Sequence, residues 1–325
     1  MNWLRKNWLT LLQMAFSIFL ISRVFGDVGL RREAVGVLSQ AHPWWALGGL
    51  ATVLASELLC AARWSLMLRL FNIPVGFGRV CAFSFAGLFY SLLLPGAGGG
   101  DAFRILYVMR LYPGHKRRAA LSVVADRLCG LVALAGALGI VALHRGAFPP
   151  DSPARQVLAV SLIIVSIPVF LILIWWTTTI PRVQRKGLLF VPARFHAPLL
   201  ALGEDFWSIL HHPKKIALGI AASCAALAAH FTTYFISSLA FGVPVGLAGM
   251  FLIMPVVDAL VLLPITFFGI GLRETLFQSL LGGMFGIAPG TAAVVALGGF
   301  GLQAVVGLLG GLLVPFTTPP APNRH

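Results

Sequence analysis

Six long apolar stretches dominate the sequence, and they constrain the fold more than any other feature. A transmembrane helix needs about 20 consecutive apolar residues, and each stretch approaches or exceeds that length. The stretches cover Trp8–Phe25, Trp44–Ala62, Ala119–Leu143, Val157–Trp176, Ile216–Phe241 and Ala292–Val314. Hydrophobic residues make up 58% of the chain and charged residues only 10%, which is too little charge to cover a water-facing surface. The sequence therefore predicts an all-α polytopic integral membrane protein with about six full transmembrane helices.

Two further apolar segments are interrupted by proline and glycine. The first covers Val80–Leu94 and ends in a glycine-rich stretch, and the second covers Met250–Phe268 and continues, after more glycines, to Phe285. Proline removes a backbone donor and glycine permits irregular turns. The helix-breaking residues are Pro95, Gly98, Gly99, Gly100, Pro264, Gly269 and Gly271. We therefore predict two broken, re-entrant helical segments, with new helices that start near Asp101 and Gly271.

The two interrupted segments resemble each other. In both, an arginine follows nine residues after the proline of a Leu-Leu-Pro, with glycines in between: Arg104 after Pro95, and Arg273 after Pro264. Broken helices in corresponding positions of two halves are typical of transporters with inverted repeats, whose binding sites lie near the middle of the bilayer. The pattern predicts an inverted repeat with a site where the two breaks meet.

The whole chain is expected to form one transmembrane domain over residues 1–316, with repeat halves over about residues 1–150 and 151–316 and a disordered tail over residues 317–325. Lys and Arg collect in cytoplasmic loops and so orient a membrane protein. If both termini are cytoplasmic, few basic residues fall in outer loops: Arg31, Arg32, Arg145 and Arg155. The net charge of +14 is attributed to this bias and to anionic lipid headgroups, and no nucleic-acid partner is expected.

Several charged residues lie in or beside the apolar segments, where each costs about 2.5–3.5 kcal/mol unless it faces a cavity or a partner. The candidate substrate-binding residues are Asp101, Arg104, Asp126, Arg127, Asp258, Arg273 and Glu274. Arginine and free N–H groups at a helix start can hold a phosphate, and an acid can hold a cationic part of a headgroup. No catalytic residue, metal ligand or cofactor is predicted.

A structural ion network is the alternative role for the same charges. Asp126 and Arg127 are adjacent on one helix and point in different directions, so the plausible pairs are Asp126 with Arg104 and Arg127 with Asp101. Asp101 also suits the N-cap of its helix. Two other residues are given structural roles: Glu57 as a neighbour of Arg63, and the lone His230 as a packed hydrogen-bonding residue.

Three motifs together resemble a known family. They are Pro95-Gly96 followed by Gly99-Gly100-Asp101-Ala102-Phe103-Arg104, then Asp126-Arg127-Leu128-Cys129-Gly130-Leu131, then Gly269-Ile270-Gly271-Leu272-Arg273-Glu274. Over about residues 5–315 the chain is similar to the transmembrane region of lysylphosphatidylglycerol synthases, which also has free-standing flippase-like bacterial and archaeal members. Asp126 stands where the family often has glutamate. The resemblance implies a lipid translocase of the bacterial inner membrane. We expect no soluble aminoacyl-transferase domain, and hence no synthase activity.

The favoured function is translocation of a phosphate-bearing lipid, aminoacylated or linked to a polyprenyl or sugar group, with a lipid-synthesis enzyme as a further partner. The sequence lacks a Gly-x4-Gly-Lys-Ser/Thr phosphate loop, so movement is expected to be downhill, ion-coupled or partner-driven. Asp126, Asp258 and Glu274 are candidate proton carriers. The alternatives are a membrane-embedded lipid-modifying transferase, an accessory subunit of a lipid pathway such as hopanoid synthesis, and an intramembrane aspartyl protease. The protease would use Asp101 with Asp126 or Asp258 as its second aspartate.

Overall fold

The computed structural model describes residues 44–93, 99–178, 211–263, 265–266 and 269–317, with residues 205, 207 and 209 and scattered positions between 15 and 36. The described part is helical and contains no β-strand. Its main helices are α1 (Trp44–Leu70), α2 (Phe77–Leu93), α3 (Gly99–Leu111), α4 (Lys116–Leu143), α5 (Pro153–Thr178), α6 (Pro213–Ala240), α7 (Leu247–Val261), α8 (Leu272–Phe285), α9 (Pro289–Gly310) and the short α10 (Val314–Thr317).

Five of these helices, α1, α4, α5, α6 and α9, are long and apolar enough to cross a membrane. They coincide with five of the six predicted stretches. The remaining stretch, Trp8–Phe25, lies largely outside the described residues. The prediction of an all-α polytopic membrane protein is therefore confirmed.

The two predicted breaks lie between short helices. Helix α2 ends at Leu93 and α3 begins at Gly99, while α7 ends at Val261 and α8 begins at Leu272. Pro95, Gly98 and Pro264 fall outside the described residues, and Gly99 and Gly100 form the start of α3. Gly269 and Gly271 have φ angles of +77° and +85°, which only glycine adopts without strain.

The order of helices is repeated. A long, a short, a short and a long helix follow one another in α1–α4 and again in α6–α9. Both long first helices end in the same turn, Phe71–Gly76 in one half and Phe241–Gly246 in the other, and both turns contain Pro-Val-Gly. The second residue of each turn is left-handed, Asn72 at φ 57° and Gly242 at φ 67°. This shared turn was not among the features predicted from the sequence.

Helix contacts follow the same relation. Helix α1 packs along α6. The contact of α4 with α6 corresponds to the contact of α9 with α1 in the other half. The contact of α2 with α9 corresponds in the same way to the contact of α7 with α4. Exchanging the halves leaves this pattern unchanged, as expected for two structural repeats related by a pseudo-two-fold axis. Which way each half faces in the bilayer stays a prediction.

Glycines bring α9 close to α6. A Cβ on Gly299 would lie 2.5 Å from the ring of Tyr234, and a Cβ on Gly298 would collide with Ser237 and Phe241. Small residues at helix contacts permit such close approach in membrane proteins. The close packing fixes Tyr234, which is fully buried and borders the site described next.

Candidate functional site

A buried ion pair joins α1 and α4. Arg63 donates to both carboxylate oxygens of Asp126, from Nε at 2.6 Å and from Nη2 at 3.0 Å, and its third nitrogen, Nη1, donates to the Ser223 hydroxyl of α6 at 2.9 Å. Both charged side chains are buried. A two-pronged pair of this kind is strong and fixed in direction. It therefore ties three long helices together.

Two more pairs extend this cluster to α3. Arg127 donates to both oxygens of Asp101 at 2.6 and 2.7 Å, which is the pairing predicted from the sequence. Arg104 lies between the two acids, with Nη1 3.8 Å from Asp101 and 4.0 Å from Asp126. The expected pairing of Asp126 with Arg104 is therefore present at 4.0 Å, but Arg63 is the closer partner of Asp126 at 2.6 Å. Since α3 begins at Gly99, Asp101 lies in its first turn rather than at its cap.

This arrangement argues against an aspartyl protease. A protease dyad shares one proton between two close carboxylates. Asp101 and Asp126 are instead each held by the fork of a separate arginine, and arginine stabilises the ionised form of its acid partner.

The second charged group surrounds the start of α8. The Gly271 N–H donates to Glu274 Oε2 at 2.6 Å, so Glu274 caps its own helix. Arg273 is only 5% exposed. Its guanidinium carbon lies 5.8 Å from the ring centre of Tyr234 and 5.2 Å from that of Phe300, and Nη2 lies 3.6 Å from where a Cβ of Gly269 would be. The side chain therefore points back into the helix break.

Arg273 forms no ion pair within the described part of the chain, and the buried acid next to it, Glu274, accepts from the Gly271 N–H instead. Its Nε and Nη1 atoms are buried and make no hydrogen bond there, and no ion pair joins it to Asp258 or to another described acid. Other buried polar atoms nearby in the sequence also lack hydrogen bonds there: Thr266 Oγ1, Glu274 Oε1 and Gln278 Nε2. Each such group costs about 1–3 kcal/mol, which favours a site that a ligand completes.

A cavity of about 240 Å³ lies between the two halves. Its polar and charged lining comes from four helices, and α4 adds Gly130. The polar residues are Ser56, Glu57, Cys60 and Arg63 of α1, Ser223 and His230 of α6, Asp258 of α7 and Gln303 of α9. Most of these residues were not selected from the sequence. One signal was available, because the lining residues of α1 and α6 recur at spacings of three, four and seven, as expected for one face of a helix.

A line of polar contacts leads from the cavity to Arg273. His230 Nε2 lies 3.2 Å from an oxygen of Asp258, and the Gln303 amide lies 3.1 Å from His230 Nδ1 and 3.5 Å from the Tyr234 hydroxyl. Tyr234 is one of the two rings that face the Arg273 guanidinium. His230, predicted to be a packed hydrogen-bonding residue, is thus part of a polar network that lines the cavity.

A comparison with known protein families shows which family the chain belongs to. The lysylphosphatidylglycerol synthase TM region matches residues 10–311. The chain belongs to this family. It is also similar to two UPF0104 membrane proteins: one from Pyrococcus horikoshii, 33% identical over 79 residues, and one from Methanocaldococcus jannaschii, 24% identical over 116 residues. No solved structure matches the chain.

The two relatives are matched over only part of their length. The first match covers 24% of this chain and 24% of the archaeal protein, and the second covers 35% and 34%. Family membership, together with five apolar helices of spanning length, supports a multi-pass membrane location and a general role connected with membrane lipids.

Proposed function

We propose that this protein is a lipid translocase that moves a phosphate-bearing lipid between the leaflets of the bacterial inner membrane. The observation that carries the proposal is the unmatched charge of Arg273. A buried guanidinium with free donors fits a phosphate, whose oxygens accept paired hydrogen bonds from arginine. Phosphate is also the anionic group that most membrane lipids carry in their headgroups, and a translocase must move that group across the membrane.

The two arginines that follow the helix breaks have different roles in this proposal. Arg104 lies between Asp101 and Asp126, so its charge is largely offset, and it stacks over Trp64 at 5.3 Å. Arg273 also faces aromatic rings, but it forms no ion pair with a described acid. The phosphate site is therefore centred on Arg273, and the cluster around Arg104 supports the fold.

The test is lipid movement in proteoliposomes that contain fluorescent phosphatidylglycerol, measured by bleaching of the outer leaflet. We expect the protein to speed redistribution without ATP, and Arg273→Met to slow it by about 10- to 100-fold, the equivalent of one lost charge-assisted bond. Arg273→Lys should retain part of the rate, because a point charge replaces the fork. The matched control is Arg155→Met, which removes an exposed arginine of α5.

Two results would count against the proposal. Normal redistribution by a correctly folded Arg273→Met protein would exclude Arg273 as the phosphate ligand. Covalent change of the lipid, detected by mass spectrometry of the recovered vesicles, would favour the lipid-modifying transferase.

A further inference from the structure

Glu57 differs from the other acids around the central cavity. Asp126 is bound by Arg63, and Asp258 lies against His230. Glu57 lines the cavity but makes no hydrogen bond or ion pair with any described residue. It is also the central residue of α1, thirteen positions from each end. A carboxylate is therefore located at mid-membrane depth without a fixed partner, where an unpaired charge is expensive.

The cations that act on Glu57 are already engaged. The cations whose charges act on Glu57 are Arg104 of α3, Arg127 of α4 and Arg63 of its own helix. Arg63 and Arg127 form two-pronged pairs with acids, and Arg104 lies between the same two acids. Cys60 carries no charge in its thiol form. None of these groups is left to pair with Glu57 alone.

His230 is engaged by other groups. The Gln303 amide lies 3.1 Å from His230 Nδ1, and Nε2 lies 3.2 Å from Asp258.

Glu57 is therefore the carboxylate of the cavity that has no cationic partner among the described residues. Asp126 is bound by Arg63, and Asp258 lies against His230. Among the described residues no group of three or more His, Cys, Asp and Glu side chains could hold a metal ion, and a lone carboxylate is well suited to a proton.

We propose that Glu57 is a proton-binding site and that its protonation is coupled to lipid movement. The proton binds one carboxylate oxygen and leaves from it, and no other bond changes. A cavity of about 240 Å³ has room for several water molecules that can deliver the proton. The direction of coupling follows from charge, since a phosphate at Arg273 brings negative charge that favours a proton on Glu57. The lipid and the proton therefore move together.

The proton site itself is tested without transport. Infrared difference spectra of the purified protein, recorded as the pH is lowered, should show the C=O band of a protonated carboxyl that is absent in Glu57→Gln. Glu57→Asp keeps a carboxyl group and should show the band at a shifted frequency. This variant assigns the band to residue 57 even if Glu57→Gln does not fold. The control Asp151→Asn, which removes an exposed loop acid, should leave the band in place. A band unchanged in Glu57→Gln would overturn the inference.

The coupling rests on the proposed function and is tested in proteoliposomes with phosphatidylglycerol and a trapped pH dye. Wild-type lipid movement should respond to a pH gradient and carry protons, and Glu57→Gln should abolish both effects. If lipid moves with the same pH response in Glu57→Gln, or responds to a sodium gradient instead, the inference fails and the translocase stands. If no lipid moves yet the Glu57 band titrates, the translocase fails and the proton site stands.

Discussion

The Arg63–Asp126 pair offers a sharp test of which charges hold the fold together. In Arg63→Met the Asp126 carboxylate, which is fully buried, loses bonds of 2.6 and 3.0 Å. The nearest remaining cation is Arg104, with Nη1 4.0 Å away. Ser223 also loses the donor at 2.9 Å that links α1 to α6. The substitution thus removes one ion pair and one interhelical hydrogen bond, while methionine preserves most of the side-chain volume.

Breaking a buried pair by removing one partner costs about 3–5 kcal/mol. Because Arg104 still lies near Asp126, we expect Arg63→Met to lower the free energy of unfolding by about 3 kcal/mol, the lower end of that range. The double variant Arg63→Met/Asp126→Leu removes both charges and should recover most of the loss, since well-packed apolar replacements of buried pairs are often neutral.

Denaturant titration in mixed micelles, followed by tryptophan fluorescence, measures these differences. The matched comparison is Arg273→Met, the same substitution at a buried arginine without an acid partner in the described structure. We expect it to keep or raise stability, because it leaves no unpaired acid and removes two buried donors without hydrogen bonds, each of which costs about 1–3 kcal/mol. The reasoning is refuted if Arg63→Met is as stable as the wild type, or if the double variant is no more stable than the single one.

Two further predictions concern packing and orientation. A Cβ at Gly100 would overlap the Gly87 carbonyl oxygen and the Ser91 hydroxyl. Gly100→Ala should therefore lower the free energy of unfolding by about 1–3 kcal/mol, measured as a lower melting temperature. The control Gly136→Ala, in open space on α4, should be neutral or stabilising. Reporter fusions at Gly146 and after His325 should lie on opposite sides of the membrane, with His325 cytoplasmic; reporters on the same side would contradict the predicted topology.

The positions of the long helices and of the helix breaks could be predicted from the sequence, because they depend on nearby residues. Apolar stretches of spanning length became α1, α4, α5, α6 and α9, and the proline and glycine clusters ended α2 and α7. Those features depend on residues within one turn or one span of each other. The shared turns after α1 and α6 were equally local and could have been found by aligning Phe71–Gly76 with Phe241–Gly246.

Ion pairing was only half predictable. The partners of Arg127 and Arg63 depend on how α1, α3 and α4 are rotated about their axes, and the Arg63–Asp126 pair joins residues 63 positions apart. An apolar span gives little information about rotation, because lipid-facing and protein-facing sides have similar hydrophobicity. The same limit explains why Glu57 and His230 were given structural roles, although both line the cavity.

The difference between the two halves is the main physical argument about function. Arg104 and Arg273 occupy corresponding positions, each nine residues after the proline of its break, and both are buried. Both arginines face aromatic rings and have buried donors without a hydrogen bond in the described structure, namely Nε of Arg104 and Nε and Nη1 of Arg273. The difference is that Arg104 lies within 4.0 Å of two acids, whereas Arg273 forms no ion pair with a described acid. If charge at membrane depth served stability alone, both arginines should be neutralised, because an unmatched one only adds cost. Retaining the unmatched Arg273 beside a helix break makes physical sense if its partner is an anion that comes and goes. The proposed translocase requires such a partner.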